Sequence, residues 1–260
     1  MSQDAANPNL VALYTVARRE IVRILRIWAQ TLVPPAITMT LYFLIFGSLI
    51  GARIGSMGGI SYMDFIVPGL VMMSIIQNSY GNISSSFFGA KFGRHVEELL
   101  VSPMPNWVIL GGYVTGAVLR GLMVGVIVLC IAMAFTHVRM PHPWVMLSTV
   151  LLGATIFSLA GFINAVYARK FDDVTIVPTF ILTPLTYLGG VFYSIQLLPD
   201  WAQALTHANP IFYMVNAFRY GLLGSSDVPL SVAYALMLGF VIALSAFALT
   251  LLNRGIGLRS

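Results

Sequence analysis

Charge is scarce in this chain. Of 260 residues, 9% are Asp, Glu, Lys or Arg, while 58% are hydrophobic. A soluble domain carries about a quarter charged residues, so this sequence could not cover a water-facing surface. Lysine is nearly absent, with only Lys91 and Lys170. Neither closes a Gly-x-x-x-x-Gly-Lys-Ser/Thr run, whose backbone N–H groups cradle nucleotide phosphates, so the chain does not bind ATP in that manner. The single cysteine, Cys130, excludes an intrachain disulfide. No serine stands in a Gly-x-Ser-x-Gly elbow. His95-Val96-Glu97 is a solitary His-x-Glu with no Cys-x-x-Cys to complete a zinc site, and His137, His142 and His207 fall in or beside loops. An intramembrane enzyme, a metal site and a resident cofactor all lack their residues.

Long uncharged runs are what the chain does have. A helix needs roughly 20 residues to cross the hydrocarbon core. Intervals of that length lie between Arg26 and Arg53, Asp64 and Lys91, Glu98 and Arg139 (broken once, by Arg120), Arg139 and Arg169, Asp173 and Asp200, and Asp227 and Arg254. Such runs do not suit the alternation of a barrel strand. They predict an all-α polytopic membrane protein with six spans, near 30–50, 62–88, 107–135, 143–168, 174–195 and 229–252. An even number of spans puts both termini on one side. That side holds Arg18, Arg19, Arg23, Arg26, Lys91, Arg94, Arg169, Lys170, Arg254 and Arg259, and the other only Arg53, Arg139 and Arg219. Basic short loops stay in the cytoplasm, which places both termini and the loops near 89–105 and 168–174 there. The net charge of +5 therefore marks orientation rather than nucleic acid.

Three stretches do not read as plain spans or loops. Residues 89–105 form a charged island with Lys91, Arg94, His95, Glu97 and Glu98, closed by Pro103 and Pro105. As a helix it is amphipathic, with Phe92, Val96, Leu99 and Leu100 on one face. Arg94 is spaced to reach Glu97 and Glu98, and Pro103 should stop the helix. Residues 10–28 predict a second amphipathic helix. Leu10, Leu13, Tyr14, Ala17, Ile21, Ile24, Leu25 and Trp28 share a face, and Arg19, Arg23 and Arg26 lie opposite, the pattern of a helix in the headgroup layer. A helix packed on its own protein fits the same residues. Residues 196–224 hold two short stripes, the second opened by Asn209-Pro210 as cap and first helical residue. They predict a hairpin that dips into the outer leaflet and returns.

Inside the spans, polar residues are costly against lipid and should face the bundle or a water-filled cavity. Span two is rich in them, with Gln77, Asn78, Ser79, Tyr80, Asn82, Ser84, Ser85 and Ser86. Arg120 lies near the middle of span three, at a depth similar to Gln77 and Asn78. It is either a functional charge or a side chain that snorkels inward where Gly111-Gly112 interrupts the helix. Pro34-Pro35 should kink span one or mark its start, and Pro178 and Pro184 permit bending in span five. Asp64 lies near the outer end of span two. No acidic residue lies deep within a span, so a self-sufficient channel or ion-coupled secondary transporter is the weaker alternative.

The run from Phe171 to Arg219 resembles the signature of type 2 ABC exporter permeases, in the YadH-like branch near the nodulation-factor exporter permeases. Its pieces are Phe171-Asp172-Asp173, Pro178, the run from Pro184 through Gly189-Gly190 to Tyr193, Leu198-Pro199, Asn209-Pro210-Ile211-Phe212-Tyr213 and Arg219. The run from Phe65 to Gly69 and the run from Ser86 to Phe92 add to the likeness. The resemblance implies a permease dimer, with a second copy either identical (a homodimer) or a paralogue, docked on two separate ATP-binding subunits that hold the ATP and Mg. It implies that 89–105 is the coupling helix, with Phe92, Arg94, Glu97, Glu98 and Leu99 in that role. The 10–28 helix would frame the cassette contact among membrane lipids, and the 196–224 hairpin would roof the pathway. Gln77, Asn78, Tyr80, Tyr187 and Phe192 are the candidates for contact with an amphipathic or lipid-linked substrate at the seam.

Overall fold

The computed structural model describes residues 7–57, 59–136 and 140–257. His137, Arg139, Arg259 and residues 1–6 of the polar N-terminal segment lie outside the described residues, as does the side chain of Leu100. The first helix, α1 (Pro8–Arg26), opens with Pro8 in its first turn and the Asn7 side chain accepting from the Asn9 N–H. It breaks at Ile27, and the next helix, α2, covers Trp28–Ile54. This runs on through Pro34-Pro35 rather than starting at them, and loosens to π geometry over Phe43–Ile50. The external loop expected at 51–61 is partly ordered, because Ser56–Met57 and Ile60–Ser61 pair as a two-strand ladder.

Then come α3 (Tyr62–Phe92), the short α4 (His95–Val101), α5 (Asn106–Phe135) and α6 (Pro143–Tyr167). The seventh helix, α7, covers 171–187 as Phe171–Val177, a π turn at Pro178–Leu182, and Thr183–Tyr187. A single 3₁₀ turn at Ile195–Leu197 leads to α8 (Asp200–Ala208), α9 (Pro210–Leu223) and α10 (Leu230–Arg254).

Four of these helices are long and apolar enough to cross a membrane: Trp28–Ile54, Asn106–Phe135, Pro143–Tyr167 and Leu230–Arg254. The other two expected spans differ for physical reasons. At 31 residues α3 is long, but its second half is amide and hydroxyl rich. The fifth span was expected to reach residue 195. Its helix instead ends at Tyr187, where Leu188 and Gly189 donate back to Pro184 and Thr186 and Gly190 takes a φ of 71°.

The polar helix α3 sits at the centre, with α5 on one side, α6 on the other and α9 across its first half. In lipid, burial against protein gains little hydrophobic energy, so close approach and satisfied polar groups decide what goes inside. Ser74, Ser79, Asn82 and Ser84 are buried there, and the Ser84 hydroxyl donates to the Gly161 carbonyl at 3.0 Å. Glycines make the approach possible. A Cβ at Gly161 would lie 2.6 Å from the Tyr80 carbonyl oxygen, and one at Gly125 would lie 2.8 Å from Ile75. All-α architecture in apolar helices is thus as expected, with α3 as hub.

Candidate functional site

The charged island is not one helix. Helix α3 continues to Phe92, Gly93 ends it, and Arg94 reverses the chain in the left-handed region at φ 61°. Only His95–Val101 is helical, and Ser102 is extended at ψ 151° ahead of Pro103, as a residue before proline must be. Val96 is buried and Leu99 partly so. Arg94, Glu97 and Glu98 face solvent, and among the described residues no ion pair joins Arg94 to either glutamate. Because Arg94 sits in the reversal and not on the helix, the i+3 and i+4 spacing never applies.

Phe92 takes a separate role. Its ring lies 6.1 Å from Phe88 and 5.0 Å from Phe171, and Phe88 and Phe171 meet edge to face at 4.9 Å. Beside them the Lys91 ammonium donates to the carbonyls of Val166 (2.6 Å) and Ala168 (2.8 Å), at the free end of α6. A cation there satisfies orphan carbonyls and meets the negative end of the helix dipole. Burial, then the charge of Arg169, lowers the Lys91 pKa from its usual 10.5. The Asp173 carboxylate accepts from the Arg169 and Lys170 N–H groups at 2.8 and 3.0 Å, and these bonds lower its pKa from 3.8. So the segments around Phe92 and Phe171 form one tied unit at the basic end of the bundle.

Helix α1 lies against the first half of α5, where Gly112 and Gly116 admit it. A Cβ at Gly112 would run into Val16, and one at Gly116 would lie 2.5 Å from the Glu20 Cβ. Gly111-Gly112 therefore does not interrupt α5. The buried face is Val16, Glu20 and Ile24, while Leu10, Tyr14, Leu25 and Trp28 are exposed. This corrects the expected arginine face. Glu20, 2% exposed, draws Arg23 partly inward and holds Arg19, which stays exposed. It pairs with Arg19 at 3.4 Å and Arg23 at 3.1 Å, and it accepts from Ser86 at 2.6 Å. Arg19 also donates to the Tyr113 hydroxyl at 2.7 Å. Arg23 reaches the Asn82 Oδ1 at 2.9 Å. Arg120 meets the same oxygen at 3.5 Å and the Asn78 Oδ1 at 3.3 Å. Arg120 is thus held by span-two amides rather than released to water.

The substrate candidates separate into three places. Gln77 and Asn78 are partly buried, beside Arg120 in the case of Asn78. Tyr80 is 2% exposed and turned into the core of the chain. Tyr187 and Phe192 lie toward the opposite end, with rings stacked at 5.7 Å. They share an aromatic group with Tyr42, whose hydroxyl is 3.1 Å from that of Tyr187, and Phe46, whose ring is 4.7 Å from Phe192. Among the described residues no three His, Cys, Asp or Glu side chains gather as a metal site.

The same end holds a bolt between α7 and the helices after it. The Asn209 side chain accepts from the Ile211 N–H at 3.0 Å and donates to the Leu185 carbonyl at 2.6 Å. Arg219, 3% exposed, donates to the Gly190 carbonyl at 2.7 Å and lies 4.1 Å above the Phe65 ring. Asp227 stands 3.7 Å away. The model of the ABC-2 type transporter family matches residues 11–223, which run from α1 to the end of α9. The chain belongs to the ABC-2 type transporter family. The Inner membrane transport permease YadH of Escherichia coli K12 is 57% identical over 251 residues, covering 96% of this chain and 98% of that one. Nodulation protein J of Neorhizobium galegae is 21% identical over 225 residues, 86% of each chain. Nodulation protein J of Sinorhizobium fredii is 25% identical over 175 residues, 67% of each. In this ABC-2 chain the signature residues Gly190, Asn209 and Arg219 are structural ties. The residues that sequence reasoning missed are Glu20, buried among arginines, and Lys91 as a helix cap. The spacing of Glu20 from Val16 and Ile24, both i±4, was the available signal for the first.

Proposed function

We propose that the chain is the transmembrane permease subunit of an ATP-driven exporter for an amphipathic or lipid-linked substrate. Two copies work as a dimer above two ATP-binding cassette subunits, which hold the ATP and Mg. The setting is a bacterial inner membrane with both termini cytoplasmic. In this reading α3 and α7 join the four long apolar helices as spans two and five. The 17 residues of α7 rise only about 26 Å, short of the roughly 30 Å hydrocarbon core. The turn after it and the α8–α9 pair complete the crossing as a re-entrant hairpin.

The observation that carries the reading is the tie at the basic end. Glu97 and Glu98 face solvent on α4, Arg94 and Leu99 flank them, and Lys91 and Phe92 fasten that corner to Val166, Ala168 and Phe171. A push on α4 enters the central helix α3 directly, with α5 and α6 packed on it. Gln77, Asn78, Tyr187 and Phe192 line the seam, and Tyr80 supports it from within the protomer. An ion-coupled transporter needs a carboxylate free to take an ion among its spans, whereas Glu20 is held by Arg19, Arg23 and Ser86.

The test is E97A/E98A in a reconstituted complex with its ATPase. Losing about 1 kcal/mol of cassette contact is roughly fivefold in rate. Transport-coupled ATP hydrolysis should drop by that factor while insertion stays normal. Unchanged coupling removes α4 from the role.

A further inference from the structure

The charges around Arg23 and Arg120 do not balance. Arg19 and Arg23 pair with one carboxylate, Glu20, while Arg120, joined to Arg23 through the Asn82 oxygen, pairs with none. Among the described residues no other carboxylate comes within 4.0 Å of these guanidiniums. Hydrogen bonding is lopsided in the same direction. Arg23 and Arg120 share the Asn82 oxygen. The Arg120 Nε and the Asn82 Nδ2 are buried N–H donors with no acceptor, and Asn82 is 0% exposed. Buried donors are normally satisfied, and a buried charge needs a partner. What this site lacks is negative charge and acceptor oxygens together.

The depth of the site narrows the occupant. Helix α5 has 30 residues, about 45 Å, against roughly 30 Å of hydrocarbon. With Phe135 at the outer boundary, the inner boundary falls about ten residues into α5, and Arg120 sits roughly 7 Å beyond it. Helix α3, counted from Tyr62, meets the same boundary about 20 residues on, next to Asn82. The site therefore runs from the inner headgroup boundary at Asn82 to about 7 Å inside the hydrocarbon at Arg120. A cleft of about 370 Å³ reaches Arg23 past Arg19, Glu20, Ser86, His95 and Tyr113, with Asn82 and Arg120 behind Arg23 through the shared Asn82 oxygen. The Glu20 carboxylate there is already held by Arg19, Arg23 and Ser86. The exposed Leu10, Tyr14 and Leu25 of α1, with Trp28 at the start of α2, offer apolar surface for acyl chains.

We infer that Arg23 and Arg120, with Asn78 and Asn82, bind the anionic headgroup of an amphiphile entering from the inner leaflet, through a phosphate or carboxylate. This deepens the exporter reading and rests on it for orientation. Binding to the purified full chain in detergent tests it, with dioctanoyl phosphatidylglycerol, dioctanoyl phosphatidylcholine and inorganic phosphate as probes. Loss of one charge-assisted contact corresponds to roughly tenfold in affinity. Phosphatidylglycerol should bind about tenfold tighter than phosphatidylcholine, and R120Q should remove that preference. R23Q should do the same and serves if R120Q does not fold, while R120K should keep most of it. R26Q removes equal charge from an exposed position of α1 and should change binding less than about twofold. Equal binding of the two lipids, or equal loss in R26Q and R120Q, overturns the site. Displacement by low-millimolar phosphate overturns the lipid-borne source. No ATPase enters the assay, so a negative result leaves the exporter reading standing. A failed exporter reading likewise leaves the binding result readable.

Discussion

Replacing Arg219 by methionine keeps most of the volume and removes the bolt between α7 and α9. Four interactions vanish, one of them a long bond to the Asn216 oxygen at 3.4 Å. The charge-assisted bond to the Gly190 carbonyl at 2.7 Å is worth about 1.5–3 kcal/mol. The ring contact with Phe65 at 4.1 Å is worth about 2 kcal/mol when desolvated. The pair with Asp227 at 3.7 Å, whose side chain is 25% exposed, is worth under about 1 kcal/mol. Against these, methionine avoids the cost of burying a guanidinium, several kcal/mol per ion. The balance is a loss of about 2–4 kcal/mol, because the Gly190 carbonyl stays buried without a donor, while the Asn216 oxygen keeps the Asp227 N–H at 3.1 Å. Hydrogen exchange of the purified protein in nanodiscs reads this locally. Amides of Pro210–Leu223 should exchange roughly 30- to 800-fold faster. R219K, which keeps one donor and the charge, should fall between. The reasoning is refuted if those amides keep wild-type protection in R219M, even if the thermal midpoint drops.

Three further outcomes follow from the same packing. G116L forces a side chain into Glu20, 2.5 Å from the Cβ position. It should cost about 1–3 kcal/mol by overpacking and strip protection from α1 amides while those of α6 stay protected. K91M leaves the Val166 and Ala168 carbonyls without their donor. A loss of about 1–2 kcal/mol should appear in the thermal midpoint, together with weaker coupling in the reconstituted complex. Asp173 has a lowered pKa, so its cap on α7 is present above the ordinary carboxylate pKa of 3.8 and is lost as pH falls through the lower folded value. Exchange protection of 171–177 should fall in the wild type as pH drops below the ordinary carboxylate value of 3.8, whereas D173N should lack the step.

Local rules carried much of this protein. Hydropathy marked the long apolar helices, proline ended α4 at Val101, and Asn209-Pro210 opened α9. Of the two stripes in 196–224, Phe212, Val215, Phe218 and Leu222 are buried, whereas Leu197, Trp201 and Leu205 are exposed. Each of these depends on residues within a turn or two of one another. Tertiary structure alone decided the rest. In a membrane both lipid and protein accept an apolar face, so periodicity could show that α1 has two sides but not which side meets α5. Glycines at 112 and 116 decided that, and with it the inward turn of Glu20 and Arg23. The Asn82 partner of Arg23, the Val166 and Ala168 carbonyls held by Lys91 and the Gly190 carbonyl held by Arg219 lie 29 to 77 residues away in the chain. No spacing encodes such a pairing, because a charge in a low-dielectric bundle takes whichever oxygen the packing brings within about 3 Å.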